Sequence, residues 1–263
     1  ALLVADGDPL SEAAALAYQQ ARGIPAAQVI RLPVPAGSDT ISDSDFATLK
    51  AAIDARLPAS VQATLVTWLQ PSRVVGNTVP GGGGTPCTMG ITSALAFGYN
   101  PAFCGGCRRT QASAYFDTDT TRPWTDLHIR PSMLLGAATP EAARALVQRG
   151  LAAEGSAPAG TGWLLRTADA ARSVRWTDYP ALPAQWATPP GLALQVVDAS
   201  DPAAPQELDG QKGVLFYATG AVRLHKLAGI GFLPGAVAEH LTSTGGVLPG
   251  GNGGLLQYLP AGQ

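Results

Sequence analysis

His240 is the residue of this chain that is best suited to acid–base chemistry. It follows Glu239 and precedes three hydroxyl side chains in the stretch PGAVAEHLTSTGG. An imidazole moves protons near neutral pH when a carboxylate or a hydroxyl orients its ring, so we interpret His240 and Glu239 as a candidate catalytic pair. The alternative is structural. AVAEHL predicts a short helix that begins at Pro234, and the ring of His240 would then bind carbonyl groups left open at the helix end.

The three cysteines lie close together in the sequence, at Cys87, Cys104 and Cys107, and the last two form the motif CGGC. This spacing occurs in redox proteins, but there the motif opens a helix after a strand, and here it does not. In an oxidising compartment two of the three would pair, whereas a zinc clip would need a fourth ligand. We therefore expect a disulfide or a metal clip, with the pairing left open.

Other motifs for cofactors or hydrolysis are missing from the sequence. VPGGGGTPC lacks the Gly-Lys-Ser/Thr ending of a phosphate-binding loop, and the aspartates of YFDTDTTRPWTD do not have the spacing of an EF-hand. There is no Gly-x-Ser-x-Gly elbow and no His-Glu-x-x-His helix. We therefore predict no cofactor, and we interpret His128 and His225 as structural residues.

The elements that must position these residues alternate between strands and helices. Apolar runs typical of buried strands are separated by stretches with helix caps, such as the helix between Pro9 and Gly23. This alternation predicts an α/β fold with a mainly parallel, Rossmann-like sheet of about six strands and helices on both faces. We expect a single domain over 1–263, with an irregular Gly- and Cys-rich insertion over 70–130 and an irregular tail over 247–263.

Polar residues follow several of the predicted strands, at the edge where open parallel sheets bind ligands. Asp6 and Asp8 come after the first strand, Asp169 follows the fourth, and Thr219 ends the last. We interpret these four as candidate binding residues. The alternative is helix capping, above all for Asp169, because aspartate is among the preferred residues at a helix start.

The composition excludes some classes of partner. A net charge of -2 with scattered basic residues gives no electrostatic basis for nucleic-acid binding, and no apolar run reaches the roughly 20 residues of a membrane span. Only 14% of the residues are charged, and the chain begins directly with a strand. We therefore expect an exported protein (periplasmic, cell-surface or extracellular) whose signal peptide has been removed.

Blocks along nearly the whole chain resemble those of an uncharacterised exported bacterial family found in genomes with exosortase sorting systems. The blocks are DPLSEAAALAYQQARGIPAAQVIRLPVP, CTMGITSALAFGYNPAFC, RPSMLLGAATPEAARALVQRGLAAEG, LLRTADAARSVR and LPGAVAEHLTSTGG. The resemblance implies export. It also implies a further strand with a Glu-Pro-Cys motif beyond Gln263, so the expected partners are a downstream C-terminal segment or other protein subunits.

The first third of the chain more distantly resembles the caspase, legumain and gingipain clan of cysteine peptidases, through a strand followed by AAALAYQQARGIPAAQVI. GVLFYATG is similar to the histidine-bearing strand of that clan, with Thr219-Gly220 where His-Gly is expected. The resemblance implies a caspase-like sheet and a peptidase-like function, either active through His240 or degenerate. The alternative is a non-catalytic structural or assembly subunit of a cell-envelope or extracellular complex.

Overall fold

The chain divides into two compact units, Ala1–Arg144 (unit 1) and Ala145–Gln263 (unit 2). The computed structural model describes residues 1–78, 86–104, 112–187 and 192–243. Helices and mainly parallel strands make up both units, so the predicted α/β class is confirmed. The strands form three sheets of four, three and four strands instead of one sheet of about six.

Strands and helices alternate through most of the described chain. Unit 1 contains strands β1 (Leu2–Ala5), β2 (Val29–Leu32), β3 (Thr40–Ser42), β4 (Thr64–Val66), β5 (Arg73–Thr78), β6 (Pro86–Gly90) and β7 (Ser132–Leu134), with helices α1 (Pro9–Arg22), α2 (Asp43–Asp54), α3 (Ile91–Phe97) and α4 (Pro123–Leu127). Helix α5 (Pro140–Ala153) contains the boundary between the units. Unit 2 contains strands β8 (Gly160–Arg166), β9 (Leu192–Asp198), β10 (Lys212–Gly220) and β11 (Gly231–Leu241), and helix α6 (Leu182–Gln185).

The main sheet of unit 1 is parallel, with the strand order β2-β1-β4-β7. All four residues of β1 are buried, as expected for a strand with neighbours on both sides and covered faces. A second sheet has the order β3-β5-β6, in which β3 pairs with β5 in parallel and β5 with β6 antiparallel.

Helix α1 begins and ends as its sequence predicts. The side chain of Asp8 accepts hydrogen bonds from the backbone N–H groups of Leu10 (2.9 Å) and Ser11 (3.3 Å), and Pro9 occupies the first helical position. Gly23 ends the helix in the left-handed conformation at φ 60°, which costs glycine little. These local signals set where the helix begins and ends.

Helix α2 covers one face of unit 1. Ser42 caps it by accepting from the backbone N–H of Asp45 at 3.1 Å, and the Asp45 side chain accepts from the Ser42 hydroxyl at 2.7 Å. Three apolar residues at helical spacing enter the core: Phe46, Leu49 and Ile53. They pack in one cluster with residues of β1, β2 and β4.

The sheet of unit 2 is also parallel, with the strand order β11-β10-β8-β9. Strand β10 lies between two neighbours, and its Tyr217 is fully buried in an apolar cluster with Val214, Leu224, Leu227 and Ile230. In the described part of the sheet β11 has one neighbouring strand, β10, so it forms an edge.

Two predicted helices are replaced by other structures. The stretch from Pro234 to His240 belongs to strand β11, which pairs with β10 from Val237 onwards, whereas a helix this short is marginal by itself. Asp169 begins a turn instead of an α-helix, and a 3-10 helix follows at Trp176–Ala181. Pro180 lies inside that 3-10 helix and cannot donate a backbone hydrogen bond.

The segment over 70–130, predicted to be irregular, contains β5, β6, α3 and α4 in its described part. The glycine-rich composition therefore concealed regular elements, because β5 and β6 gain their order from pairing with each other and with β3. The tail over 247–263 lies outside the described residues.

Candidate functional site

Two of the predicted site residues meet in unit 2, at the carboxyl ends of its parallel strands, which we call its carboxyl rim. Thr219 of β10 pairs in register with His240 of β11. Thr219 is buried and His240 is half-buried. The sequence-based expectation that polar residues gather at this edge therefore holds for this pair.

The ring nitrogens of His240 are both withdrawn from solvent. Nε2 lies 2.8 Å from the carbonyl oxygen of Ala221, and because a carbonyl only accepts, Nε2 carries the hydrogen and donates it. Nδ1 is buried and has no hydrogen-bond partner among the described residues. A proton transferred to this ring would have to reach the enclosed Nδ1.

Glu239 does not orient His240. Neighbouring side chains of a strand point to opposite faces of the sheet, and the Glu239 carboxylate pairs with Arg175 at 2.5 Å. Tyr179 lies in the same group, and its pKa is raised by burial first and then by the Glu239 charge. The two residues of the candidate pair therefore have different partners: His240 contacts Ala221, and Glu239 forms an exposed ion pair with Arg175.

Asp169 stabilises the turn that crosses the carboxyl rim of unit 2. Its carboxylate accepts from the backbone N–H of Arg172 at 3.2 Å and from the guanidinium of the same residue at 2.6 Å. Thr167 is buried and its hydroxyl donates to the carbonyl of Gly220, while Ser173 donates to the Thr167 carbonyl at 3.2 Å. Asp169 is thus occupied within the turn, although no α-helix follows for it to cap.

Gly220 allows this turn to lie directly on the end of β10. A Cβ at Gly220 would overlap the backbone carbonyl of Arg172. Any other side chain at this position would clash in the same way. Glycine is therefore required, because the two backbones approach each other closely. Gly220 follows Thr219 at the end of the last predicted strand, but its close contact with Arg172 was not predicted, because the two segments are about 50 residues apart. Ser173 was not a candidate from the sequence.

The two candidate binding residues of unit 1, Asp6 and Asp8, do not form a joint site. Asp8 caps α1, and Asp6 is exposed. At the carboxyl rim of this sheet, the buried Ser11 hydroxyl accepts from the backbone N–H of Ala5 at 2.9 Å and lies 2.7 Å from the Thr67 hydroxyl, which donates to the Leu3 carbonyl at 3.1 Å. Every hydroxyl in this network has a partner within unit 1.

Cys87 and Cys104 form a disulfide in unit 1. Neither residue is therefore a free thiolate or a metal ligand. Cys107 lies outside the described residues. In the part of the chain that the structure describes, no group of three or more histidine, cysteine, aspartate or glutamate side chains is arranged to hold a metal ion.

Unit 2 contains a concave apolar surface, a cleft of about 600 Å³, which we call the apolar cleft. Each strand of the sheet contributes a side chain to it: Leu164, Leu194, Phe216 and Val237. Trp186 lines it after α6 and is 49% exposed, and Val237 is 60% exposed. Part of the cleft is lined by Pro158 and Leu192, near the amino ends of β8 and β9.

The sequence contained only an indirect signal for the apolar cleft. LALQVVD and KGVLFYATG are apolar over most of their length, which predicts strands that are covered on both faces. One face of this sheet is partly open instead. Which strand residues remain uncovered depends on where α6 and the segment before β8 pack, so the sequence pattern alone does not identify the cleft.

No protein-family model, curated protein or solved structure matches this chain. Among the helices of the described ranges, none combines the length and the apolar character required to cross a bilayer.

Proposed function

We propose that this chain is an exported protein with a degenerate, caspase-like peptidase scaffold that binds a partner polypeptide, as a non-catalytic subunit of a cell-envelope or extracellular assembly. The observation that carries the proposal is the apolar cleft of unit 2, which has apolar walls and a volume within the range of ligand sites in proteins. The proposed occupant is an apolar segment of another polypeptide chain.

The geometry of His240 supports the loss of catalysis. A general base needs a nitrogen within about 3 Å of the proton that it removes. Here Nε2 is occupied by the Ala221 carbonyl, Nδ1 is enclosed, and Glu239 is paired with Arg175. The ring therefore ties the end of β11 to the segment after β10.

The positions of the cysteines support the same conclusion. A cysteine peptidase needs a thiolate beside its histidine, but residues 145–263 contain no cysteine. In unit 1 the disulfide occupies Cys87 and Cys104. Thr219 stands where the resemblance to the peptidase clan leads us to expect a histidine, so in this proposal the sheet of unit 2 retains the scaffold and not the chemistry.

The exposed apolar side chains favour a polypeptide as the occupant. Val237 lies on the edge strand β11, and Trp186 lies at the opposite side of the cleft lining, so apolar surface continues from the cleft onto the sheet edge. Contiguous apolar surface of this kind marks protein interaction sites. A partner strand or loop can place leucine or aromatic side chains in the cleft and rest its backbone along β11.

The disulfide supports export. Disulfides form and persist in oxidising compartments and are rare in the cytosol of mesophiles. The Cys87–Cys104 bond and the low charged fraction of 14% both suit a protein that works outside the cytosol.

The binding proposal is tested with a phage-displayed library of apolar peptides selected on the intact chain. Selected peptides should bind at least about tenfold more weakly to Val237→Lys, because a charged side chain would occupy the cleft wall. The matched control is Val174→Lys, since Val174 is 63% exposed in the same unit but does not line the cleft. Equal effects of the two variants would contradict the cleft as the binding site.

The loss of catalysis is tested with unfolded casein and a mixed peptide substrate library, analysed by mass spectrometry. We expect no cleavage above that of a buffer control by the wild-type chain. Cleavage that disappears in His240→Ala while the circular dichroism spectrum stays the same would replace the binding proposal with an active peptidase.

A further inference from the structure

Unit 1 contains a second cavity that the proposed function does not use. It has a volume of about 310 Å³ and lies near the amino ends of β4 and β7, where Thr64 and Arg130 line it. Its apolar walls come from several segments, including Leu57, Leu95 and Ile129. We call it the basic cavity, because Arg130 and Lys50 both contribute to its lining.

Arg130 is more than nine-tenths buried, with 8% of its surface exposed. Its Nε donates to the carbonyl of Val61 at 3.1 Å. Within the described part of the chain, its terminal nitrogens make no hydrogen bond, and the nearest carboxylate contact is an Asp54 oxygen 4.0 Å from Nη1. Four of the five N–H groups of the guanidinium therefore make no hydrogen bond among the described residues, and the side chain lines an open cavity.

The guanidinium is held in a fixed orientation. Its carbon lies 3.5 Å from the centroid of the Trp124 ring, so the ring covers one face of the group. Gln62 anchors Trp124 by accepting from its backbone N–H at 3.0 Å. Nε is bonded to Val61 and one face is covered, so the Nη edge, which recognises carboxylates in a bidentate manner, is left for a ligand.

The charges around the cavity favour a monoanion. Lys50 pairs with Asp54 at 2.7 Å, so two cations and one carboxylate leave a net charge of +1. A dianionic phosphate would meet the Asp54 carboxylate at close range, whereas a single carboxylate matches the net charge. Burial is the main cause that lowers the pKa of Arg130, and a bound carboxylate would oppose this effect.

The remaining surface of the cavity favours a ligand with an apolar body. The ring of His128 packs edge-on against Trp124, with centroids 5.7 Å apart, and both residues line the cavity beside aliphatic side chains. At about 30 Å³ for each water-sized group, the cavity holds about ten non-hydrogen atoms. This is the size of a small carboxylic acid with an aromatic or aliphatic chain.

We propose that the basic cavity of unit 1 binds a small monocarboxylate with an apolar body, which places its carboxylate on the Nη edge of Arg130 and its apolar part against Trp124, Leu57 and Leu95. The site is independent of the apolar cleft, because all of its lining residues belong to unit 1. Two kinds of ligand present the same carboxylate group: a free acid and the C-terminus of a peptide.

Isothermal titration calorimetry of the intact chain tests the proposal with 3-phenylpropanoate and its uncharged analogue 3-phenylpropanamide. We expect the acid to bind at least about tenfold more tightly than the amide, because only the carboxylate makes charge-assisted hydrogen bonds to Arg130. Equal affinities, or no heat of binding for the acid at millimolar concentration, would overturn the proposal.

Variants locate the site. Arg130→Lys keeps the charge but loses the planar fork and should weaken the acid about tenfold. Lys50→Gln should weaken it about threefold, and Ala96→Phe should abolish binding by filling the cavity. The control is Lys226→Gln, which removes a lysine–aspartate pair from unit 2 and should change nothing.

Circular dichroism and thermal melting establish which variants are folded. Lys50 and Ala96 are only half-buried, so Lys50→Gln and Ala96→Phe decide the outcome if Arg130→Lys does not fold. Unchanged affinity in both variants would contradict the assignment. The peptide Ala-Ala-Phe, titrated in parallel, separates the two sources: tighter binding than the free acid supports a peptide C-terminus, and weaker binding supports a free acid.

Discussion

The carboxyl rims of the two parallel sheets use the same residue types and are closed in different ways. In unit 1, Ser11 and Thr67 join the start of α1 to β1 and β4 through buried hydroxyl groups. In unit 2, Thr167 and the turn after β8 rest on the bare backbone of Gly220. Side-chain hydrogen bonds join the segments at the first rim, and at the second rim the hydrogen bond of Thr167 is accompanied by close backbone packing of Arg172 on Gly220.

The basic cavity of unit 1 and the apolar cleft of unit 2 lie away from these rims. The basic cavity is beside Thr64, the first residue of β4, and the apolar cleft begins beside Leu192, the first residue of β9. Ligands of open parallel sheets usually bind at the carboxyl ends of the strands. In unit 2 the turn after β8 packs on this edge, and in unit 1 the start of α1 packs on part of it while Asp6 stays exposed.

Gly220→Ala should break the rim of unit 2 and have the largest effect. The added Cβ would overlap the carbonyl of Arg172, so we expect the free energy of unfolding to fall by about 3 kcal/mol in urea denaturation. Gly150→Ala is the control. It lies in helix α5 with no atom within 4 Å of the added Cβ, and it should stabilise by up to about 1 kcal/mol. Equal losses would show that the close approach does not hold the rim together.

Reduction of the disulfide should lower the stability of unit 1 and leave the stability of unit 2 unchanged. The bond joins residues 17 apart in sequence, and a loop of this size contributes about 3 kcal/mol. Hydrogen exchange read by mass spectrometry should therefore show faster exchange in unit 1 after addition of dithiothreitol. Peptides from residues 145–263, which contain no cysteine, should keep their rates. Unchanged exchange in unit 1 would contradict a stabilising role for the bond.

Tyr217 should make the core beneath the rim of unit 2 sensitive to alkaline pH. Burial raises the pKa of Tyr217 to about 12, above the value of about 10 for an exposed phenol. Its contribution to stability is therefore complete below pH 10 and is lost as the pH rises towards 12.

Urea denaturation at several pH values checks this prediction. Between pH 10 and 12 the free energy of unfolding of the wild-type chain should fall by about 2 kcal/mol more than that of Tyr217→Phe. Tyr115→Phe, at an exposed position, should follow the wild-type curve. Parallel curves for the wild type and Tyr217→Phe would refute the effect of burial.

Ser11→Ala measures how much the hydroxyl network at the carboxyl rim of unit 1 contributes to stability. The change leaves the backbone N–H of Ala5 without its buried acceptor and removes Ser11 as a partner of the Thr67 hydroxyl, which keeps its hydrogen bond to the Leu3 carbonyl, so we expect a loss of about 1.5 kcal/mol in urea denaturation. Ser38→Ala, at an exposed serine, should cost less than about 0.5 kcal/mol. A loss in Ser11→Ala as large as that of Gly220→Ala would remove the difference between the two rims.

Glu239→Gln should have the smallest effect. The Glu239–Arg175 pair lies at the surface, and exposed ion pairs contribute less than about 1 kcal/mol. Urea midpoints at low and high salt measure this contribution. A loss comparable with that of Ser11→Ala would indicate that Glu239 has a role beyond the ion pair.

Local signals predicted the helix starts and several strands. Asp8 and Ser42 cap α1 and α2, and Gly23 ends α1, because each of these groups is satisfied by neighbours within a few residues. Strand β2 (Val29–Leu32) likewise lies where the alternation of the sequence predicts a strand. The catalytic interpretation of His240 and Glu239 had no such local basis, because their partners Ala221 and Arg175 come from other segments.

The sequence by itself determined the α/β class, the capped helices and the apolar strands, since these follow from hydrogen bonds and periodicities within a few residues. Only the tertiary structure decided that His240 lies on an edge strand, that Cys87 pairs with Cys104, and that Arg130 faces a cavity. Each of these outcomes depends on which distant segments pack together, and the free energy of that packing is shared by many residues that no local pattern connects.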